Sequence, residues 1–392
     1  MRHSLLGRLF LLALGLVVAA TAIGVYELWP RDRSLPPPPG ANPLQTERAE
    51  ISEIRRESCP VPGAQVCLRV TADLETGPDE GTETSFAVID SSRQVGLDVG
   101  DKVRLLRNQL PPGASVGGVR PDRYSLSDFE RRMPLLWLAV AFAVVVIAAG
   151  RWKGVRALAG LGLSLAIVVG FIVPAILDGR SPEGVAIVGA LAIMLVTIPL
   201  AHGRGPATVA ACLGTSGSLL LTLGLASLFT NLAHLTGLSS DEAIYVRATS
   251  GDVSLQGLLL AGMVIGALGV LDDVTITQAS TVLALRQANP TLGTAALFRG
   301  ALGVGHDHIA ATVNTLFLAY AGASLPVLLI FNLSGTSFSD ALNSEAVAAE
   351  VVATLVGSIG LIAAVPVTTA IASLLATRSG GSPLPAARLH AH

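Results

Sequence analysis

Long apolar runs are the feature that most constrains the fold of this chain. Seven runs follow residue 133, and each comes near the roughly 17 to 25 residues that a helix needs to cross a hydrocarbon core. They are Pro134–Gly150, Val155–Leu177, Gly184–Ala201, Pro206–Leu235, Leu255–Leu285, Ala301–Phe331 and Val347–Ala376. An earlier run, Leu9–Trp29, has 21 residues, which exceeds the roughly 7 to 15 of a signal-peptide core. We therefore predict about eight transmembrane helices, the first an uncleaved anchor; a cleaved signal is the alternative.

The composition indicates an all-α polytopic membrane protein with a separate polar segment. Hydrophobic residues make up 51% of the chain and the mean hydropathy is +0.62, which excludes an ordinary soluble domain. The formal net charge is −2, so no basic excess points to nucleic acid as a partner. Between Arg31 and Arg132 lie 30 of the 54 charged residues. We predict an anchor over residues 1–30, an extracytoplasmic linker and β-rich module over 31–133, a seven-helix domain over 134–378 and a cytoplasmic tail over 379–392.

The polar segment has the alternating pattern of short β-strands. Apolar and polar residues alternate over 65–70 and over 101–105, and Gly, Pro and Asp residues separate these stretches. A module of this size gains from a crosslink. Cys59 and Cys67 bracket a turn-rich stretch, so we predict a disulfide between them if the compartment is oxidising. Two free thiols are the alternative, while Cys212 lies in an apolar run.

The basic residues of the short loops predict the orientation. One side of the membrane would carry ten of them: Arg2, Arg8, Arg151, Lys153, Arg156, Arg204, Arg286, Arg299, Arg378 and Arg388. The other side would carry only Arg180 and Arg247. Because cytoplasmic loops collect Lys and Arg, both termini are predicted to be cytoplasmic and residues 31–133 extracytoplasmic.

Two clusters of ionisable residues interrupt the apolar helices. They are Asp272-Asp273 and His306-Asp307-His308. An Asp at the centre of a membrane costs roughly 3 kcal/mol on insertion scales, so such residues need partners, water or a function. The 17 residues of Leu255–Leu271 would span about 25 Å as a helix. His306 lies five residues past Ala301, or about 8 Å along the next helix, so both clusters are predicted to lie at similar depth in the inner half of the bilayer.

Helical phase sorts these residues into two polar stripes. One arc of about 160° would carry Asp307, His308, Ala311, Thr312, Asn314 and Thr315, and the preceding helix would carry Asp273, Thr277, Ser280, Thr281 and Ala284. We predict a site for an ion or small polar solute formed by Asp273, Asp307 and His308. Asp272, Asn314 and Thr315 are predicted to support it. His306 falls outside the arc and could join only if Gly303-Val304-Gly305 unwinds.

Two other interpretations of these clusters remain open. The aspartates could cap a cytoplasmic extension of the helix while His306 rests among the lipid headgroups. Metal-assisted hydrolysis is the other interpretation, but the sequence lacks the HExxH spacing of such enzymes. We therefore predict no enzymatic activity, and the residues name no cofactor and no particular metal.

The polar motifs also resemble a known family. The stretch from Gly269 to Gln278, GVLDDVTITQ, and the stretch from Gly305 to Pro326, GHDHIAATVNTLFLAYAGASLP, resemble the YibE/F-like membrane proteins of bacteria. The resemblance covers about Pro134 to Ala376. It implies a multi-pass protein of the bacterial cytoplasmic membrane, and it implies no catalytic residue, substrate or cofactor.

These observations predict a permease-like protein that handles an ion or a small solute in the lipid bilayer. The alternative is a non-catalytic scaffold whose exported β module binds a partner in the cell envelope. The substrate and the oligomeric state do not follow from the sequence.

Overall fold

The computed structural model describes residues 5–31, 46–57, 67–89, 96–108, 122–249 and 253–378. Its helices of membrane length confirm the predicted fold class. Within these residues, seven helices are long and apolar enough to cross a membrane, and the count reaches eight when the bent pair Thr294–Ala323 and Leu325–Leu333 is taken as one span.

The helices begin with an N-terminal helix and continue after the β module. They are α1 (Leu5–Leu28), α2 (Arg132–Gly150), α3 (Trp152–Ile167), α4 (Val173–Leu177), α5 (Pro182–His202), α6 (Pro206–Leu232), α7 (Asp241–Thr249), α8 (Leu255–Ala288), α9 (Thr294–Ala323), α10 (Leu325–Leu333), α11 (Phe338–Asn343) and α12 (Glu345–Arg378). A π-helical turn over Val168–Ile172 joins α3 to α4, so the two form one membrane-length span. Pro174 follows that turn and cannot donate a backbone hydrogen bond, which accounts for the local widening.

The β module follows α1, as predicted. Its strands are β1 (Thr46–Glu57), β2 (Cys67–Leu74), β3 (Glu83–Ile89), β4 (Lys102–Arg107) and β5 (Tyr124–Phe129). Among the described residues they form one antiparallel sheet in the order β3-β2-β1-β4-β5. The side chain of Asp122 draws the two edges together, because its Oδ2 accepts a 2.8 Å hydrogen bond from the Ala87 amide and pairs with Arg69.

The β module has a hydrophobic core of its own. Fully buried side chains of alternate strand positions fill it, including Ile51, Phe86, Leu105 and Tyr124. Cys67 is disulfide-bonded. Cys59 lies outside the described residues, so its pairing with Cys67 stays a prediction. The described residues form two compact units, one within residues 36–145 and the other within residues 1–35 and 146–392.

The centre of the helical unit consists of α6, α8 and α12, which pack closely on one another. Small residues permit this approach: Gly214 of α6 lies against Thr368, and Gly360 of α12 lies against Thr222. The hydroxyls of Thr215 and Thr275 form a buried 2.6 Å hydrogen bond between α6 and α8. Around this centre, α5 packs on α8 and α3, and α9 packs on α12 and α8.

Two helices extend beyond the predicted apolar runs. The helix α8 continues to Ala288, and α9 begins at Thr294 rather than at Ala301. Asp272 and Asp273 therefore lie in the middle of a 34-residue helix, where neither can cap a helix end. The helix α9 is also continuous through Gly303-Val304-Gly305, so the unwound turn that could bring His306 into the site is absent.

Candidate functional site

The two predicted polar clusters meet through one pair of side chains. His308 of α9 places its Nε2 atom 4.0 Å from Oδ2 of Asp273 on α8. The Asp273 side chain is 73% exposed and the His308 side chain is 34% exposed. The Nε2 atom itself is buried and makes no hydrogen bond to a described residue. The pair thus combines an open carboxylate with an imidazole nitrogen that lacks a direct partner.

Asp272 is turned about 100° around α8 from Asp273, and it is less exposed. Its Oδ1 atom is enclosed and has no hydrogen-bond partner among the described residues. The Thr197 hydroxyl of α5 is a polar neighbour, but it also makes no hydrogen bond among the described residues. Because buried polar atoms in proteins are nearly always hydrogen-bonded, this carboxylate is an exception that needs a structural or functional reason.

Gln278 fixes the position of α9 on α8 next to this pair. Its side chain is buried, and Nε2 donates a 2.7 Å hydrogen bond to the carbonyl of Ala301. Gly305 then follows one turn later at a close approach, where a Cβ atom would stand 2.7 Å from Nε2 of Gln278 and 2.6 Å from Cγ1 of Val365. The two helices run in opposite directions, so this contact brings His308 level with Asp273.

The other predicted site residues on α9 do not contact the pair. Asp307, Asn314 and Thr315 are exposed, as is His306. The Thr315 hydroxyl donates only to the Ala311 carbonyl within its own helix, at 3.0 Å. The structure therefore brings together Asp273 and His308, places Asp272 at a less exposed position next to Asp273 in α8, and leaves Asp307, Asn314 and Thr315 on an open polar face.

The part of the α8 polar stripe that follows Asp273 lines a groove. The groove has a volume of about 350 Å³ and is bounded by Thr277, Ser280, Thr281, Ile276 and Ala284 of α8 and by His202 of α5. Asp273 acts electrostatically on His202, as do Lys153 and Arg156. His202, in the wall of the groove, is therefore near enough to both Asp273 and the basic start of α3 to feel their charges.

Sequence reasoning missed two ionisable residues, His202 and Glu350. Each stands at an end of a membrane-length helix, in α5 and α12 respectively. The signal was present in the sequence, because each is an ionisable residue within or next to an apolar run. Their neighbours come from helices far away in the chain, so the sequence could not place them beside other polar groups.

The ligand sets needed for a metal do not form among the described residues. No three or more His, Cys, Asp or Glu side chains there are grouped so that they could hold a metal ion. Cys212, a candidate soft ligand, is a buried free thiol in α6. The polar groups of the site are carboxylates, imidazoles and hydroxyls.

Comparison with known proteins identifies one family. The sequence model of the YibE/F-like protein family matches residues 138–378, which is more than half of the 392 residues and includes α8, α9 and α12. No curated protein and no solved structure matches the chain.

Proposed function

The chain belongs to the YibE/F-like family, and from its multi-pass fold and polar site we propose that it moves a small ion or a polar solute across a membrane. The observation that carries the proposal is the Asp273–His308 pair between α8 and α9. The 4.0 Å between the carboxylate and the imidazole is too long for a hydrogen bond. A bound water or ion can bridge such a distance and satisfy both groups.

The exposed face of α8 supports the same proposal. It carries only small or polar residues at helical spacing: Gly262, Gly266, Gly269, Asp273, Thr277, Ser280 and Ala284. A face that touches lipid would carry large apolar residues, as α2 does with Leu135, Trp137 and Phe142. Polar residues in membrane helices usually face the bundle interior or a water-filled cavity. We infer that this face lines an aqueous path.

Protonation provides a means of coupling in this proposal. An imidazole can accept or release a proton, so we propose that a protonated His308 pairs with Asp273 and a neutral His308 releases it. A cation that binds Asp273 competes with protonated His308 for the carboxylate. Binding of the cation to Asp273 would then be linked to release of the proton from His308.

We also propose that the protein lies in the bacterial cytoplasmic membrane with both termini in the cytoplasm. The ten-to-two distribution of Lys and Arg over the short loops supports this orientation. The disulfide at Cys67 is consistent with an oxidising compartment for residues 31–133. His202 and its groove would then lie toward the cytoplasm. The proposed activity is transport without a catalytic step.

Flux through purified protein in liposomes tests the proposal. Proton flux is followed with an enclosed pH-sensitive dye while gradients of Na⁺, K⁺ or small amines are applied. We expect wild type to support at least one of these fluxes and Asp273→Asn to abolish it, because the neutral amide can neither pair with the imidazole nor bind a cation by charge.

His306→Gln is the matched control for His308→Gln. The two histidines differ by two positions, but only His308 contacts Asp273. We expect His308→Gln to lose the flux and His306→Gln to keep it. Equal flux in wild type, Asp273→Asn and protein-free liposomes would contradict the proposal.

A second candidate function rests on the β module, which forms a compact unit with its own core. We propose as the alternative that the module binds an envelope partner while the helices only anchor it. Deletion of residues 46–129 removes the described strands. In the scaffold function this deletion abolishes partner capture from crosslinked cells, whereas in the transport function it largely preserves flux.

A further inference from the structure

A second cavity lies at the opposite end of α8 from the His202 groove. It has a volume of about 300 Å³ and is bounded by the first two turns of α8, the segment between α6 and α7, the end of α9 and the start of α12. Glu350 of α12 and Tyr320 of α9 are its ionisable residues, and Ser239 and Ser240 add hydroxyl groups. All of these elements belong to the helical unit.

Glu350 is a carboxylate without a cationic partner in the part of the chain that the structure describes. It is half-buried at the sixth position of α12, and no described Arg, Lys or His side chain forms an ion pair with it. Acidic residues within membrane helices usually pair with another group or mark a pathway. Tyr320 is the residue that acts electrostatically with Glu350.

Gly266 makes room for the Tyr320 side chain at this cavity. A Cβ atom at Gly266 would stand 3.1 Å from the Tyr320 hydroxyl, which is tighter than an ordinary contact. Gly262, one turn earlier, borders the cavity itself. Because these two positions of α8 carry no side chain, there is room for Tyr320 beside the cavity that Glu350 also lines.

The size and lining of the cavity favour an organic cation over a metal ion. A volume of about 300 Å³ equals the share of about ten liquid water molecules. One carboxylate cannot supply the six to eight oxygen ligands that Ca²⁺ takes. A mostly apolar wall with one negative charge and one aromatic ring is suited to a substituted ammonium ion. The apolar wall comes from Leu255, Leu258, Leu259, Met263, Ala349 and Ala353.

We propose that this cavity binds a small organic ammonium ion, with Glu350 as its counter-ion and Tyr320 as its aromatic and hydrogen-bonding partner. The site is separate from Asp273, which lies ten positions beyond Met263 on α8, or about 15 Å along the helix. Ammonium binding at this cavity can be measured without any flux. Its outcome is therefore independent of the proposed transport function.

Thermal unfolding of the purified full-length protein tests this site. Methylammonium, ethylammonium and tetramethylammonium chloride are titrated against equal concentrations of NaCl. We expect at least one ammonium salt, and not NaCl, to raise the unfolding temperature of wild type in a saturable way, because a ligand that binds the native state stabilises it. The apparent dissociation constant should rise at least tenfold in Glu350→Gln and in Tyr320→Leu.

Two further variants serve as controls. They test whether loss of any membrane-domain carboxylate, or loss of the transport site, also weakens ammonium binding. Asp340→Asn removes an exposed carboxylate of α11, outside the cavity, and should bind ammonium like wild type. Asp273→Asn should also bind it, even where flux is lost. Absence of any ammonium-specific shift in wild type, or an equal shift in a folded Glu350→Gln, would overturn the assignment.

Discussion

At the scale of single residues, Gly305 shows how a missing side chain positions the polar pair. A Cβ atom there would meet Gln278 and Val365, both of which are packed in place. We predict that Gly305→Ala lowers the free energy of unfolding by about 1–3 kcal/mol, the usual cost of overpacking. Thermal unfolding in detergent measures this. Gly303→Ala is the control, because a Cβ atom at Gly303 meets nothing within 4 Å; an equal loss in both variants would refute the packing argument.

Tyr124 and Asp79 form the clearest titrating pair of the β module. The Tyr124 hydroxyl donates a 2.6 Å hydrogen bond to Oδ2 of Asp79, and burial, together with this bond, raises the pKa of Tyr124 to about 12. The same hydrogen bond lowers the pKa of Asp79. Since the folded pKa of Tyr124 exceeds the unfolded value of 10.0, its contribution to stability is present below pH 10 and is lost as the pH rises through about 12.

Absorbance of tyrosinate near 295 nm checks this pKa. We predict that the difference between wild type and Tyr124→Phe titrates with a midpoint near pH 12. A difference that titrates near pH 10, the ordinary value for tyrosine, would show that the phenol is not held by Asp79.

The sequence was sufficient to find Asp273 and His308, because ionisable residues inside apolar runs are rare and costly. The estimated depths placed the two clusters at a similar level in the membrane, but they did not determine whether Asp273 and His308 meet. The exposure of Asp307, Asn314 and Thr315 was left open, since helical phase says which residues share a face and not what covers it. Glu350 and Tyr320 meet from different helices, and a contact of this kind depends on tertiary packing alone.

At the scale of elements, the exposed faces of α8 and α12 differ in chemistry. Thr277 and Ser280 of α8 border the groove at His202, whereas Leu355 of α12 is an exposed large apolar residue. We predict that a hydrophilic thiol reagent labels Thr277→Cys and Ser280→Cys but not Leu355→Cys, all in a Cys212→Ala background. Mass spectrometry of the intact protein measures the labelling. Equal labelling at the three positions would mean that water reaches the exposed face of α8 no more than it reaches the exposed face of α12.

Helix boundaries show what an apolar-run criterion omits. The turns of α9 before Ala301 contain Thr294 and Arg299, so they are helical without being apolar. The run ending at Phe331 was predicted as one span, but the chain bends by 55° between α9 and α10. Pro326 explains the break, because its ring disfavours a continuous helix and removes one backbone donor. The apolar composition of a run indicates which residues can lie in lipid. The ends of the helices depend instead on capping residues and proline.

At the scale of the whole molecule, the proposed orientation makes the two ends of α12 lie on opposite sides of the membrane. Alkaline phosphatase folds only where its disulfides form, so it reports an extracytoplasmic position. We predict an active enzyme when it is fused after Gly335 and an inactive one when it is fused after Arg378. The reverse pattern would invert the orientation and place the β module in the cytoplasm.

The most direct test of the central claim is a double-mutant cycle on flux in liposomes, with Asp273→Asn, His308→Gln and the double variant. Residues that act as one unit show strongly non-additive losses. If the pair forms a single polar site, each single variant should lose nearly all of the flux and the double variant should lose no more. Losses that multiply independently, or flux that survives in either single variant, would contradict the claim that Asp273 and His308 act together.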